Sequence, residues 1–381
     1  MDPGSRSRRY PRVVGQDDAG VFGPTLECNR TPGIKIGRPE SSPLYSPSPT
    51  VPAKHFDLEG AMLNLSRRDF VVSTGLAAAL GLNGRLVVPA FAQKTADPAP
   101  AFVKYKIGSA EVTAIYDGIW EKAHDPAFIA NASVDDVKAA MTKAGLPADF
   151  VSIPFTVVVI KTGGKTIMGD SGTGGQVQPT AGKLMTNMKA AGIDPSKIDT
   201  ILVSHFHPDH IFGLMEKETN KPVYPNAEII VSDVEYKFWT DPAVIDRLPE
   251  ARKGLARRIQ AVFPNWKNIR QVQGEPEVAP GIRFVMSPGH TPGHRAFHLS
   301  SGSSQLMISN DTAYVPALVV ANPGWHGQYD QDANLAEASR RKLLDRVVAD
   351  KLQICGYHFP FPGAGTVQKD GAGYALNAMK A

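Results

Sequence analysis

Three histidines and an aspartate fall within six residues in the run Ser204-His205-Phe206-His207-Pro208-Asp209-His210. Imidazole nitrogens and carboxylate oxygens are the usual protein donors to zinc and related divalent ions. Side chains alternate along extended backbone, so His205 and His207 point to one side. Pro208 then turns the chain, which can bring Asp209 and His210 round beside them. A lone histidine is more often a structural residue; four donors at H-x-H-x-D-H spacing are hard to explain that way. More donors follow in short motifs: Asp170 in Met168-Gly169-Asp170-Ser171-Gly172, and His290 and His294 in Pro288-Gly289-His290-Thr291-Pro292-Gly293-His294. Asp311 stands in Ser309-Asn310-Asp311 and His358 in Gly356-Tyr357-His358-Phe359-Pro360.

The elements that must carry these groups read as alternating strands and helices. Phe102–Ile107 and Glu111–Asp117 predict a hairpin around Gly108-Ser109, and Phe155–Lys161 with Lys165–Asp170 a second one around Gly163-Gly164. Ile198–Val203 reads as a buried strand delivering Ser204, and Glu228–Val231 as another, with Ser232 a good cap for the helix after it. Ile282–Met286, Arg295–Ser300, Gln305–Ile308 and Leu352–Cys355 are further strands; Thr180–Ala191 and Leu335–Ala349 are helices. Such a mixture predicts a layered α/β or α+β domain with its chemistry at strand ends.

Composition narrows the function. The 381 residues are 42% hydrophobic and 20% charged, an ordinary globular balance. Two cysteines exclude a disulfide scaffold or a Cys-rich zinc module. No apolar run reaches spanning length, which excludes a polytopic membrane protein. The formal charge of +4 does not mark a nucleic-acid binder: residues 1–92 hold 11 of 41 Lys and Arg and 8 of 37 Asp and Glu, leaving 30 basic against 29 acidic.

Those first residues are set apart. Residues 1–61 hold nine of the 31 prolines and show no periodicity, reading as a disordered tail or as sequence upstream of the true start. Residues 62–92 resemble a twin-arginine export signal. They contain Arg67-Arg68, Phe70, a mild apolar stretch to Leu82, and Ala90-Phe91-Ala92 before Gln93. That resemblance implies a start at Met62, handling by the twin-arginine export machinery, no stable membrane anchor, and a periplasmic or secreted domain over 93–381.

From about residue 102 to 375 the motifs, in order, resemble the metallo-β-lactamase fold superfamily. The resemblance implies a four-layer αββα sandwich holding two zinc ions, though manganese, cobalt or iron can occupy such sites. His205, His207 and His290 are then assigned to one metal and Asp209, His210 and His358 to the other, with Asp311 bridging. Asp170 would orient a metal-binding histidine, and His294 would be a structural hydrogen-bonding residue. A dinuclear site of this kind lowers the pKa of a shared water from about 15.7 toward about 7, which supplies hydroxide to attack a carbonyl or phosphoryl centre. Asp209 is the group best placed to carry a proton to the leaving oxygen.

Departures separate the subfamilies. Asp311 stands where true zinc β-lactamases carry Cys or Ser, and His207 where flavo-di-iron proteins need Glu. Hydroxyacylglutathione hydrolases and tRNA-processing nucleases share all seven ligands, but their substrates are intracellular. Tyr116-Asp117-Gly118, Gly213-Leu214-Met215, Phe238-Trp239 and His358-Phe359-Pro360-Phe361-Pro362-Gly363 look like the methyl parathion hydrolase group. Tyr314, three residues after Asp311, looks like the acyl-homoserine lactonases, where a phenol touches the substrate carbonyl; a tyrosine packed under the loop is the competing reading. Trp239 either lines a substrate pocket or belongs to the core. The expectation is a hydrolase of lactones or aryl and alkyl esters acting on a small molecule, with organophosphate triesters as possible additional substrates. The alternatives are a dedicated phosphotriesterase and a non-catalytic protein of the same fold. The resemblance also points to a homodimer.

Overall fold

A computed structural model describes residues 97–380. The N-terminal tail and export signal expected over 1–92 lie outside the described residues.

The chain first builds a seven-stranded sheet in sequence order: β1 (Phe102–Ile107), β2 (Ala110–Ala123), β3 (Phe150–Thr162), β4 (Lys165–Gly169), β5 (Thr200–Leu202), β6 (Glu228–Ser232) and β7 (Ile269–Val272). β1 to β4 pair antiparallel and β4 to β7 parallel. The rest forms a second seven-stranded sheet from β8 (Glu277–Ala279), β9 (Ile282–Met286), β10 (Arg295–Ser301), β11 (Ser304–Ile308), β12 (Gln353–Cys355), β13 (Ala364–Asp370) and β14 (Gly373–Ala378). Only β11–β12 is parallel here; that link is the long crossover through the helix 333–349.

The sheets pack face to face. Val112, Val158, Ile160 and Ile230 from the first meet Phe284, Phe297, Leu299 and Ile308 from the second, with Phe284 and Phe297 stacked at 5.4 Å. Val157 and Val159 point the other way and pack with helical residues such as Val137, Met141, Met188 and Ile259. Both faces of β3 are therefore buried, which is why its sequence is a continuous apolar run rather than an alternation. On the far face of the second sheet, Ala296, Met307 and Ile354 meet Leu343, Leu344 and Val347. The layers run helix, sheet, sheet, helix, as the resemblance implies.

The helices are α1 (Val134–Lys143), α2 (Leu184–Ala190), α3 (Pro208–Ile211), α4 (Asp233–Thr240), α5 (Val244–Arg247), α6 (Glu250–Val262) and α7 (Ala333–Ala349). α2 is shorter than the Thr180–Ala191 pattern. Gly182 adopts φ 93°, and the Gly182 and Lys183 amides donate to the Asp117 carbonyl, so this stretch is a loop fastened to β2. Ser232 does occupy the position before α4, but its hydroxyl makes no capping hydrogen bond. The α1 and α6 helices and the β13–β14 hairpin have no counterpart in the sequence reading.

Candidate metal centre

Five strand ends converge on one point between the sheets. In the first sheet, β4 ends at Asp170, whose φ of 59° forms the turn, and β5 runs into the His205–His210 segment. Pro208 is the first residue of α3, so the extended chain through His207 turns there into a helix that carries Asp209 and His210. In the second sheet the β9–β10 loop brings His290, β11 ends before Asp311, and β12 ends before His358.

Two groups of donors result: His205, His207, His290 and Asp311, and beside them Asp209, His210 and His358, with the donor atoms of each group within 4.8 Å of one another. Asp311 reaches both. Its Oδ2 lies 3.3 Å from His290 Nε2 and 3.9 Å from His205 Nε2; its Oδ1 lies 3.3 Å from His210 Nε2, and Oδ2 also 3.3 Å from His358 Nε2. Asp209 Oδ2 is 3.4 Å from both His210 and His358 Nε2.

The far side of most rings is committed elsewhere. His210 Nδ1 bonds Asp170 Oδ2 at 2.8 Å, and the other oxygen of Asp170 accepts the Ser204 amide. The Ser204 hydroxyl donates to Asp170 and sits 2.9 Å from His205 Nδ1. His290 Nδ1 bonds Asp330 at 2.8 Å, and His358 Nδ1 bonds the Pro154 carbonyl at 2.9 Å. With their ring protons held there, the opposite nitrogens carry bare lone pairs toward the centre. Nε2 of His205 and His210 and Oδ1 of Asp311 are sealed from solvent without a hydrogen-bond partner, and His290 Nε2 faces His207 Nδ1 at 2.9 Å. Buried acceptors facing one another cost free energy unless a cation joins them, so the donor set fits two divalent ions.

Charge follows the same division. Burial, then the neighbouring imidazoles, pushes His205 well below its ordinary pKa; burial, then His290 and Arg252, does so for His207. Burial opposes charge on His358 too, but Asp311 and Asp209 outweigh it and push it up to about 9. Burial likewise opposes ionisation of Asp311, and His358 and His210 outweigh it to hold the carboxyl well below the usual range. Burial opposes charge on His210 and His290 as well, and the neighbouring carboxylates outweigh it, so cations compete with protons for these rings.

Above the donors opens a cavity of about 560 Å³. His207, Asp209, His290, Asp311 and His358 form its floor, while Trp120, Phe128, Phe155, Leu255 and Tyr329 give it an apolar wall.

The sequence pattern of the metallo-β-lactamase superfamily matches residues 154–355, which contain six of the seven proposed donors and the strands that carry them. The chain belongs to this superfamily. An N-acyl homoserine lactonase from Bacillus cereus is 25% identical over 170 residues, 44% of this chain and 59% of that protein. N-acyl homoserine lactonase AttM from Azorhizobium caulinodans is 29% identical over 134 residues, 34% of this chain and 47% of its own. The chain thus spans less than two thirds of these relatives. Among solved structures of the superfamily, the dizinc quorum-quenching lactonase AidC superposes with a TM-score of 0.70 at 27% identity, covering 74% of this chain and 98% of that one. Hydrolase AbOPH shares the fold, with a TM-score of 0.68 at 24% identity, covering 74% of this chain and 98% of that one.

Within this superfamily frame, Asp170 and His294 are found beside the donors. His294 Nε2 accepts the Asp311 amide at 3.2 Å while Nδ1 bonds the Ser287 carbonyl, so it positions the backbone of Asp311. Tyr314 lines the cavity, with its hydroxyl 3.4 Å from Asp330. Trp239 requires correction as a pocket residue: it is wholly buried, does not line the cavity, and donates from Nε1 to Glu235 at 2.7 Å. The aromatic indole at the cavity is Trp120.

The sequence reading missed two supporting groups and gave a third, Asp117, only as part of a motif. Glu235 is fully buried, and its Oε1 accepts Phe206 N and Trp239 Nε1 while Oε2 accepts Thr291 Oγ1 and Gly293 N. It thereby straps the His205–His207 loop to the His290–His294 loop. Asp330, also buried, joins His290 to Arg340 at 3.0 Å. Asp117 accepts from Thr173 and Leu184, anchoring the turn after Asp170. Glu235, the third residue of α4, carries no local signal of such a role.

Proposed function

We propose that this protein is a dinuclear metallohydrolase that opens lactones, N-acyl homoserine lactones foremost, and cleaves related esters. The observation that carries the reading is the convergence of seven donor side chains, five of them lining the floor of an apolar cavity large enough for an acyl-bearing ring. The lactonase relatives and the dizinc lactonase neighbour support it. Bound zinc or another divalent ion supplies an acidified water and a Lewis acid.

The chain's own residues do the rest. The apolar wall holds the acyl group and keeps bulk water from the floor. Asp209, beside His210 and His358, takes a proton at its carboxylate and delivers it to the leaving alkoxide. Burial, and then Asp330, keeps the Tyr314 phenol protonated, and its long 3.4 Å contact is readily exchanged for a substrate oxygen that gains charge. Asp170, Glu235 and Asp330 keep the donors in place.

The test is zinc-loaded protein assayed side by side on an N-acyl homoserine lactone, a γ-lactone, an aryl acetate and a phosphotriester. Fastest turnover of a lactone is expected. A phosphotriester preferred over every lactone would make the protein a phosphotriesterase, and no turnover of any would leave it a non-catalytic member of the fold. Export by the twin-arginine route to the periplasm belongs to the same proposal. Lysines in place of Arg67-Arg68 should strand active enzyme in the cytoplasm, and undiminished export would count against it.

A further inference from the structure

Arg252, on α6, is the single Lys or Arg among the residues lining the cavity. Its Nη2 donates to the carbonyls of Gln328 and Tyr329 at 3.2 and 3.1 Å, which fixes the plane of the guanidinium. Its Nε and Nη1 have no hydrogen-bond partner, and it forms no ion pair, among the described residues. The buried Arg340 shows what a structural guanidinium looks like in this protein. It binds the carbonyls of Thr312, Pro323 and Trp325 and the Asp330 carboxylate, using all three nitrogens. Arg252 is oriented in the same way but left half-used, in a wall that is otherwise largely apolar.

A half-buried guanidinium with no ion-pair partner and N–H groups left unbonded is costly to keep, and a ligand oxygen offsets that cost. The scissile carbonyl is drawn to the floor, so Arg252 must meet a second acceptor on the same molecule. In the lactone class proposed above, the acceptor that remains after the ring ester is the neutral carbonyl of the acyl amide. We infer that Arg252 is a specificity-determining residue whose free N–H groups bind the carbonyl oxygen of an acyl amide carried on the substrate ring. The inference rests on the lactonase reading and deepens it: an amide-bearing lactone is favoured over a plain alkyl lactone of the same length by this one contact.

The experiment compares wild-type holoenzyme with Arg252→Met and Arg252→Lys on an N-acyl homoserine lactone and on an alkyl γ-lactone of matched length. Metal content and melting temperature are measured for each protein. The ratio of kcat/KM for the amide-bearing over the alkyl substrate should fall about 10- to 100-fold in Arg252→Met, mainly through KM, with Arg252→Lys intermediate. An N-acyl amine without a lactone ring should inhibit the wild type and lose potency by the same factor. Equal losses on both substrates would mean that Arg252 only braces the 328–329 segment, and the inference would fail. Relief of inhibition by the ring-opened acid, with the substrate ratio unchanged, would assign Arg252 to the product carboxylate and overturn it as well. If the wild type opens neither lactone, the lactonase reading itself fails and takes this inference with it.

Discussion

At the floor of the cavity, histidine after histidine has its second nitrogen fastened: His210 to Asp170, His290 to Asp330, His358 to the Pro154 carbonyl. Along the wall, Tyr329 packs against Trp120 and Phe128 with ring centroids 6.4 and 6.2 Å apart. The floor is directional, since most of its histidines have one useful orientation and a partner that enforces it. The wall is an area, and many combinations of apolar side chains would supply it. Metal-holding capacity is therefore concentrated in groups that tolerate no exchange, whereas the apolar part of the wall, Arg252 apart, does tolerate it.

The contrast can be broken most severely at Asp311. Asp311→Ala should lose at least one metal per chain by elemental analysis and about a thousandfold or more in kcat/KM; wild-type metal stoichiometry would show that it joins no pair. Next comes the strap beneath the floor. Glu235→Gln turns an amide NH₂ toward donors and should weaken metal affinity about 10- to 100-fold in a competitive chelator titration, although it touches no donor atom. Unchanged affinity would reduce Glu235 to a core residue. Tyr314→Phe tests the border between floor and wall: kcat on a lactone should drop about tenfold while metal content holds, and a fall in stability alone would favour a packing role. The smallest effect belongs to the wall proper. Trp120→Ala should raise KM several-fold for long acyl chains and less for short ones, in line with about 1–2 kcal/mol of lost apolar contact. A loss independent of chain length would remove Trp120 from the binding surface.

The same contrast governs what the sequence discloses. His205, His207, Asp209 and His210 are legible because metal chemistry restricts residue type and the strand-to-helix turn crowds them into six positions. Asp311 and His358 are legible only through the family resemblance, since nothing local distinguishes them. Glu235 is one of 37 acidic residues, and its partners at Thr291 and Gly293 lie 56 and 58 positions away. Trp239 and Trp120 differ in fate but not in kind: an aromatic side chain fits a core or a cavity equally, and only the packing of α4 decides that Trp239 faces Glu235. In the fold, apolar β3 announced itself, whereas β13 is largely polar and β14 short and mixed, and they gain their strand geometry from pairing with each other and with β12.

The donors come from both sheets, with His205, His207, Asp209 and His210 on one and His290, Asp311 and His358 on the other. A pair of ions seated among them would rivet the two halves of the polypeptide at the rim of the sandwich. Under the proposed function, metal supply would then set durability as well as rate. Starved of metal, the protein would turn into a looser body whose halves part more readily under heat, and its lifetime in a chelating environment would end by unfolding rather than by a simple pause in turnover.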